Sequence, residues 1–291
     1  MDDTEAIETL DSIDTFELLD GSRISFLTCD SVDGPVVSSD TSSHFDRTGL
    51  FVWAGSKVMA HLMQTNRVCV SGKRVVELGS GGSGFLAALG VKCGAKAWIA
   101  TDWGSSPVLK RLKENVDRND IAETVKVVAY QSDNLPAILD ANTLINPANS
   151  SPLNLVIAAD VIYPSMSSPQ ILALLLSFKL LRDSPVTVIT EFYCSYVNRD
   201  LSGDTLKRVL QVICEIPHLM VEVVEYDDQQ VKQNTGGVVF RFWFEEVLSN
   251  TVRNTIIRAV GDQVMIGLWE KKKEIVEEWS APFQSDEDEE E

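Results

Sequence analysis

The chain has 291 residues, 44% of them hydrophobic and 23% charged, with a formal net charge of -18, which suffices for one large domain with its own core. No apolar run approaches the roughly 18 residues of a membrane span, because Ile171 to Leu176 is interrupted at Ser177 and Lys179. The five cysteines, Cys29, Cys69, Cys93, Cys194 and Cys214, contain no CxxC pair, which argues against both a disulfide framework and a zinc site.

Charge is concentrated at the two ends. Residues 1–20 carry eight acids and no base, and Asp286 to Glu291 is an unbroken acidic run, which leaves 29 acids against 25 bases elsewhere. A body without basic excess offers little phosphate attraction, so direct nucleic-acid binding is not expected. The acidic start lacks the basic and continuous apolar regions of a secretory signal, which predicts a cytoplasmic or nuclear protein. Residues 1–14 and 280–291 are expected to be solvated, disordered segments, with docking of basic partners as their alternative use.

In chain order, Thr15 to Leu19 and Ile24 to Thr28 flank Asp20-Gly21-Ser22 and predict a β-hairpin. With a Ser/Asp-rich link it fills residues 15–47, ahead of a main domain over 48–279. Leu50 to Trp53 then leads to a helix over Ser56 to Met63. Strand and helix alternate from Lys73 onward: strand Arg74 to Leu78, helix Phe85 to about Cys93, strand Ala97 to Thr101, helix Val108 to Asn119, strand Val125 to Tyr130. The series continues with strand Leu153 to Ala159, helix Ile171 to Leu181, strand Val186 to Glu191 and helix Thr205 to Ile216. This pattern predicts an α/β, Rossmann-like fold, a mostly parallel sheet with helices on both faces. Leu219 to Tyr226 and Val238 to Glu246 read as a closing antiparallel hairpin joined through Asn234 to Gly237. After a helix at Val252 to Val260, Gln263 to Trp269 competes with Val238 to Glu246 for the last place in the sheet.

Glu77-Leu78-Gly79-Ser80-Gly81-Gly82-Ser83-Gly84 carries a buried strand through a glycine turn into a helix, a place where a ligand approaches backbone amides closely. The same residues satisfy G-x-G-x-x-G, so a nicotinamide dinucleotide is one candidate ligand. Asp102 ends the next strand, where an acid accepts ribose hydroxyls, and Trp103 is placed to lie along an adenine. Three features favour S-adenosylmethionine over a dinucleotide. The Glu77 carboxylate would repel a pyrophosphate. Asp133 follows the third strand, where it can accept the adenine amino group. Asp160 and Tyr163 in Ala158-Ala159-Asp160-Val161-Ile162-Tyr163 bring a carboxylate and a phenol over the same sheet edge.

Trp53, the Glu77 to Gly84 loop, Thr101-Asp102, Asn115 in Leu112-Lys113-Glu114-Asn115-Val116, and Asp160-Val161-Ile162-Tyr163 together resemble a known family. It is family 16, the protein-lysine methyltransferase group, of the seven-strand class I methyltransferases. The resemblance spans roughly residues 15–245 and implies a seven-stranded sheet with S-adenosyl-L-methionine as cofactor. It also implies Trp53 and Ala159 as cofactor contacts beside Glu77, Gly79, Ser80, Gly81, Asp102, Trp103 and Asp133. Two departures stand out: the third glycine of the loop is displaced by one position, and a tryptophan expected near Gln131 is absent.

Methyl transfer is an in-line displacement, so the acceptor must present a neutral lone pair, and a lysine with a reference pKa of about 10.4 must first lose a proton. Asp160 is expected to hold the ammonium and Tyr163 to align the amine; these two are the catalytic candidates. No metal is expected. His44, His61 and His218 form no triad, Phe192-Tyr193 with Arg199 nearby is a candidate substrate wall, and Lys271 to Lys273 reads as solvated surface. The reading is a monomeric N-methyltransferase acting on a lysine or N-terminal amine of a protein substrate. A nicotinamide-like small-molecule acceptor, an NAD-dependent oxidoreductase and a non-catalytic scaffold remain as alternatives.

Overall fold

The computed structural model describes residues 11–29, 47–102, 106–130, 153–164, 166–183, 187–197, 199, 204–216, 218–224 and 237–244. The hairpin forms as predicted, with β1 (Asp11–Glu17) antiparallel to β2 (Arg23–Cys29). Its turn is closed by the Asp20 carboxylate, which accepts from the Ser22 backbone N–H at 2.9 Å and its hydroxyl at 2.7 Å. Gly21 supplies the left-handed residue, at φ 79°. The hairpin starts earlier than expected. β1 begins at Asp11, so the last residues of the acidic start belong to a strand, and Ser12 Oγ bonds Thr28 Oγ1 across the pair at 2.9 Å.

After a single 3-10 turn (Arg47–Leu50), the alternating part follows: α1 (Ala54–Gln64), β3 (Arg74–Leu78), α2 (Phe85–Lys92), β4 (Ala97–Asp102), α3 (Ser106–Arg118), β5 (Val125–Ala129) and β6 (Leu153–Ala159). It continues with α4 (Ser168–Asp183), β7 (Thr187–Val197), α5 (Asp204–Glu215), β8 (Leu219–Val223) and β9 (Gly237–Phe244). The larger sheet has seven strands in the order β5-β4-β3-β6-β7-β9-β8; pairs from β5 to β7 are parallel and those of β9 antiparallel. The expected fifth strand was to stop at Glu191 but runs to Val197, because β9 pairs with its second half from Phe192 to Val197. Phe192 and Tyr193 therefore lie inside the strand and are buried. Of the run expected at Val238 to Glu246, the part up to Phe244 lies in β9, within the sheet. The runs at 252–260 and 263–269, Lys271 to Lys273, the acidic end and Gln131 fall outside the described residues.

Two cores flank the sheet, and its central strands feed both by alternation. Val75, Trp98, Leu155 and Ile157 join α1, α2 and the hairpin on one face. Val76, Ile99, Val156 and Ala158 join α4 and α5 on the other. This is the burial that continuous apolar strands require. Phe178 of α4, Phe192 of β7 and Phe242 of β9 pack in series at 5.4 Å between centroids, tying the antiparallel end to a covering helix. On the opposite face Arg241 bridges Glu191 on β7 and Glu222 on β8. Burial and the neighbouring Glu191 charge push the Tyr193 phenol up to about 12.

The hairpin is anchored through one buried amide. Asn115 of α3 accepts from the Leu27 N–H at 2.7 Å and donates to the Leu27 carbonyl at 3.1 Å and to the Gly82 carbonyl at 2.8 Å. Asn119, a turn later, donates to the Ser25 carbonyl at 2.8 Å. Among the described residues no helix is long and apolar enough to cross a membrane, no cluster of side chains could hold a metal, and Cys69, Cys93, Cys194 and Cys214 are free thiols. Asn115→Ala would leave a buried N–H and two carbonyls unpaired, at roughly 1–3 kcal/mol for each group that water cannot reach. The expected result is a loss of about 2–4 kcal/mol in urea unfolding, together with faster proteolysis of the hairpin than of the sheet.

Candidate active site

The strand order reverses direction at β3: β4 and β5 lie on one side of it, β6 and β7 on the other. The crevice above the carboxyl ends of β3 and β6 is where an open α/β sheet receives its ligand. Three sequence segments converge there: the glycine loop after β3, Asp102 at the end of β4, and the Asp160 to Tyr163 loop after β6.

The glycine loop is left-handed at Gly79 (φ 76°), Gly81 (φ 63°) and Gly84 (φ 58°), which disfavours any side chain. Space forbids one as well. A Cβ on Gly79 would lie 2.5 Å from Val161 Cγ1, and one on Gly81 would lie 2.9 Å from the Gly49 carbonyl oxygen. The first of these contacts seats the Asp160 to Tyr163 loop directly on the glycine turn. Three of the loop's amides are bonded within the protein. Ser80 N–H donates to the Thr101 carbonyl at 2.7 Å, Gly81 N–H to the Asp102 carboxylate at 2.7 Å, and Gly82 N–H to the Gly49 carbonyl at 2.5 Å.

Glu77 stands one residue from the end of β3, with 2% of its surface exposed. The Trp98 indole N–H donates to it at 2.9 Å. Burial, with the Asp102 charge adding to it, outweighs that bond and pushes the carboxyl up to about 7. Trp98 in turn occupies the space a side chain at position 90 would need, since a Cβ on Gly90 would approach its ring to 2.1 Å.

Asp160 is a buried hub. It is left-handed at φ 59°, a region that aspartate enters more readily than most residues. Its carboxylate accepts from the Gly55 backbone N–H at 3.0 Å and from the Arg199 guanidinium. The residue preceding α1, Trp53, provides no side-chain cap, so Asp160 caps the helix from the end of β6. Position 55 admits only glycine, because a Cβ there would come within 2.8 Å of Asp160 Cβ. Arg199 lies 4.4 Å from the centre of the Trp53 ring, completing a Trp53, Arg199, Asp160 stack. Desolvation raises the Asp160 carboxyl above its ordinary value, against the pull of Arg199. Its side chain is 0% exposed, beneath an Arg199 that is 29% exposed. Tyr163 is 41% exposed, and its loop is braced by Arg208, which donates to the Pro164 carbonyl at 2.7 Å. Ala159 is buried at the end of β6.

Of the predicted site residues, Glu77, Gly79, Ser80, Gly81, Asp102, Ala159, Asp160 and Tyr163 cluster on this edge, and Trp53 joins them through Arg199. Trp103 and Asp133 lie outside the described residues. Sequence reasoning missed Gly55 and the engagement of Arg199 with Asp160. The available signals were a glycine in the first turn of a helix and an isolated arginine after a strand.

The model of the lysine methyltransferase family matches residues 39–204 of the chain. Among solved structures, the human methyltransferase 10 domain containing protein is similar at 14% identity and a TM-score of 0.41, over 65% of this chain and 80% of that one. Ribosomal protein L11 methylase from Lactobacillus delbrueckii subsp. bulgaricus matches at 18% identity and a TM-score of 0.41, over 65% of this chain and 78% of that one. The O-methyltransferase from Bacillus cereus, solved in complex with SAH, matches at 11% identity and a TM-score of 0.43, over 64% of this chain and 80% of that one. No curated protein matches the chain.

The raised carboxyl at Glu77 has a consequence for stability. A group that holds its proton more tightly when folded favours the native state at low pH, and that contribution fades as pH rises from 4.5 through about 7. Glu77→Gln keeps an acceptor for Trp98 and removes the titration. Between pH 5 and pH 8 the wild type is expected to lose up to about 3 kcal/mol relative to the variant. Urea midpoints at both pH values check this; parallel profiles would show a carboxyl with an ordinary pKa.

Proposed function

Because the chain belongs to the lysine methyltransferase family, we propose that it uses S-adenosylmethionine to methylate an amine, a lysine or N-terminal amine of a protein substrate. The observation that carries this reading is the seating of Val161 against Gly79. It holds the carboxylate and phenol loop and the glycine turn as one rim. A second observation weighs against a dinucleotide. The amides of Ser80, Gly81 and Gly82, which would cradle a pyrophosphate, are bound to Thr101, Asp102 and Gly49, and the half-buried Asp102 carboxylate adds repulsion.

The residues present fit the proposed cofactor. A sulfonium zwitterion suits a rim floored by a buried acid, Glu77, and edged by a half-buried one, Asp102, which is the candidate for the ribose hydroxyls. Trp53 and Ala159 would wall the pocket. Trp103 and Asp133 are proposed for the adenine. When bound, S-adenosylmethionine supplies an electrophilic methyl group. The chain's part is then to orient an amine that has lost its proton, which is positioning more than proton abstraction. Tyr163, exposed at the rim, is the group proposed to align that amine. Asp160 is proposed to act through its partners, fixing Arg199 over Trp53 and the start of α1. It can meet the acceptor's ammonium directly only where Arg199 moves aside.

Calorimetric titration with S-adenosylhomocysteine and with NADH tests the cofactor. The first is expected to bind and the second not, with Asp102→Ala weakening binding at least ten-fold, about 1.4 kcal/mol; preferential NADH binding would overturn the reading. Incubation with methyl-labelled cofactor and a cell extract is expected to put label into protein. Label confined to small molecules would point to a heterocyclic amine as acceptor. Tyr163→Phe is expected to lower turnover about ten-fold with cofactor affinity unchanged; full turnover would show that its hydroxyl does not touch the acceptor.

A further inference from the structure

The hairpin has an asymmetry that neither its packing nor methyl transfer requires. In an antiparallel pair the N–H and C=O of one residue point the same way, toward the partner strand or away from it. Leu27 offers both groups to Asn115 and Ser25 offers its carbonyl to Asn119, so the outer edge of β2 is sealed by α3. Their register partners are Ile13 and Thr15, whose backbone groups must therefore point outward along the opposite edge. Among the described residues no backbone hydrogen bond meets them there. Ile13 also presents its side chain to solvent, 59% exposed.

A cavity of about 300 Å3 opens beside this edge. Phe16, Phe26 and Phe85 form its aromatic floor, Phe51 stands on the strap that leads to Trp53, and Asp14 and Thr28 also line it. A free row of peptide groups next to an apolar cavity is the arrangement by which a sheet edge accepts an extended chain, with backbone bonds giving affinity and the cavity selecting one side chain.

We propose that the open edge of β1 is a docking strand for the polypeptide substrate, which adds to the hairpin as a third strand and places one large apolar side chain in the aromatic cavity. The occupant is basic, because β1 carries Asp11 and Asp14 and no base, its third acid Glu17 being paired with Arg23 at 3.3 Å, in a chain of net charge -18; the side chain in the cavity is apolar, since Lys57 also lines it. The same charges oppose a second copy of this chain, whose β1 would bring like acids together. The proposal rests on the protein-substrate reading above and supplies a recognition surface apart from the methyl-transfer rim.

The test uses the full chain and blocked nonapeptides with alternating lysine and valine around a central phenylalanine. Amide hydrogen exchange by NMR is expected to slow at least ten-fold at Ile13 and Thr15 when peptide is added. Ile13→Pro and, separately, Thr15→Pro each remove one outward N–H and leave the β1–β2 ladder intact, since proline is tolerated on an edge. Each is expected to weaken peptide binding at least five-fold while S-adenosylhomocysteine affinity and the thermal midpoint stay unchanged. Several outcomes would overturn the proposal: no protection at millimolar peptide, undiminished binding by both proline variants, protection of these amides already in the free chain, or a dimer in light scattering that the proline variants dissolve. If S-adenosylhomocysteine binds and label enters protein while the edge stays inert, docking alone is wrong. If the cofactor product does not bind, the enzymatic reading falls instead.

Discussion

The arrangement of the site depends on one buried carboxylate. Asp160 reaches the first turn of α1 across 105 residues of sequence, and that helix has no cap of its own. Burying the charge is costly, and the raised carboxyl records that cost. Arg199 and the Gly55 amide offset it, so removing either partner leaves a charge that water cannot fully reach. The same atoms fix Trp53, since the guanidinium that neutralises Asp160 also lies over the indole. A local electrostatic debt thus sets the relative positions of α1, the end of β6 and the segment after β7, the elements that frame the crevice.

The second constraint is backbone bookkeeping in the glycine loop. Buried peptide groups must be paired, and here the donors of Ser80, Gly81 and Gly82 are satisfied by β4 and by the strap at Gly49. Such a loop presents shape and carboxylate charge to its ligand more than free amides. These three bonds favour a cationic sulfonium compound over a diphosphate, even though the residue spacing satisfies both patterns.

Most of the sheet was legible because its strands are apolar on both faces, and the wide spacing between them is filled by helices. The errors have physical causes. Glu191 looked like a strand end because it is charged, yet Arg241 on the neighbouring strand accommodates it and the strand continues. Asp11 and Asp14 looked like tail because charge dominates the composition there. What places them in a strand is pairing with β2, a non-local fact. The D-x-x-Y spacing located Asp160 and Tyr163, but it says nothing about whether a carboxylate is open or covered. Arg199 covers it from 39 residues away, in a stretch without periodicity, and the steric demand on Gly55 exists only once both segments meet.

The displaced third glycine follows from the same contacts. Gly82 is held at both ends of its residue, its N–H by the Gly49 carbonyl at 2.5 Å and its carbonyl by Asn115 at 2.8 Å. One residue past Ser83, where the third glycine was expected, the left-handed reversal falls at Gly84, which opens α2 at φ 58°. A Cβ at position 84 would meet Leu112 of α3 at 2.8 Å, so the helix that clamps the loop also dictates glycine at its end. Because Asn115 bonds Leu27 with the same side chain, the hairpin and the glycine loop share one amide, and the strap joins them through the Gly82 N–H. The shifted pattern is then the local signature of a loop gripped from the hairpin side, and the N-terminal hairpin is part of what shapes the glycine turn.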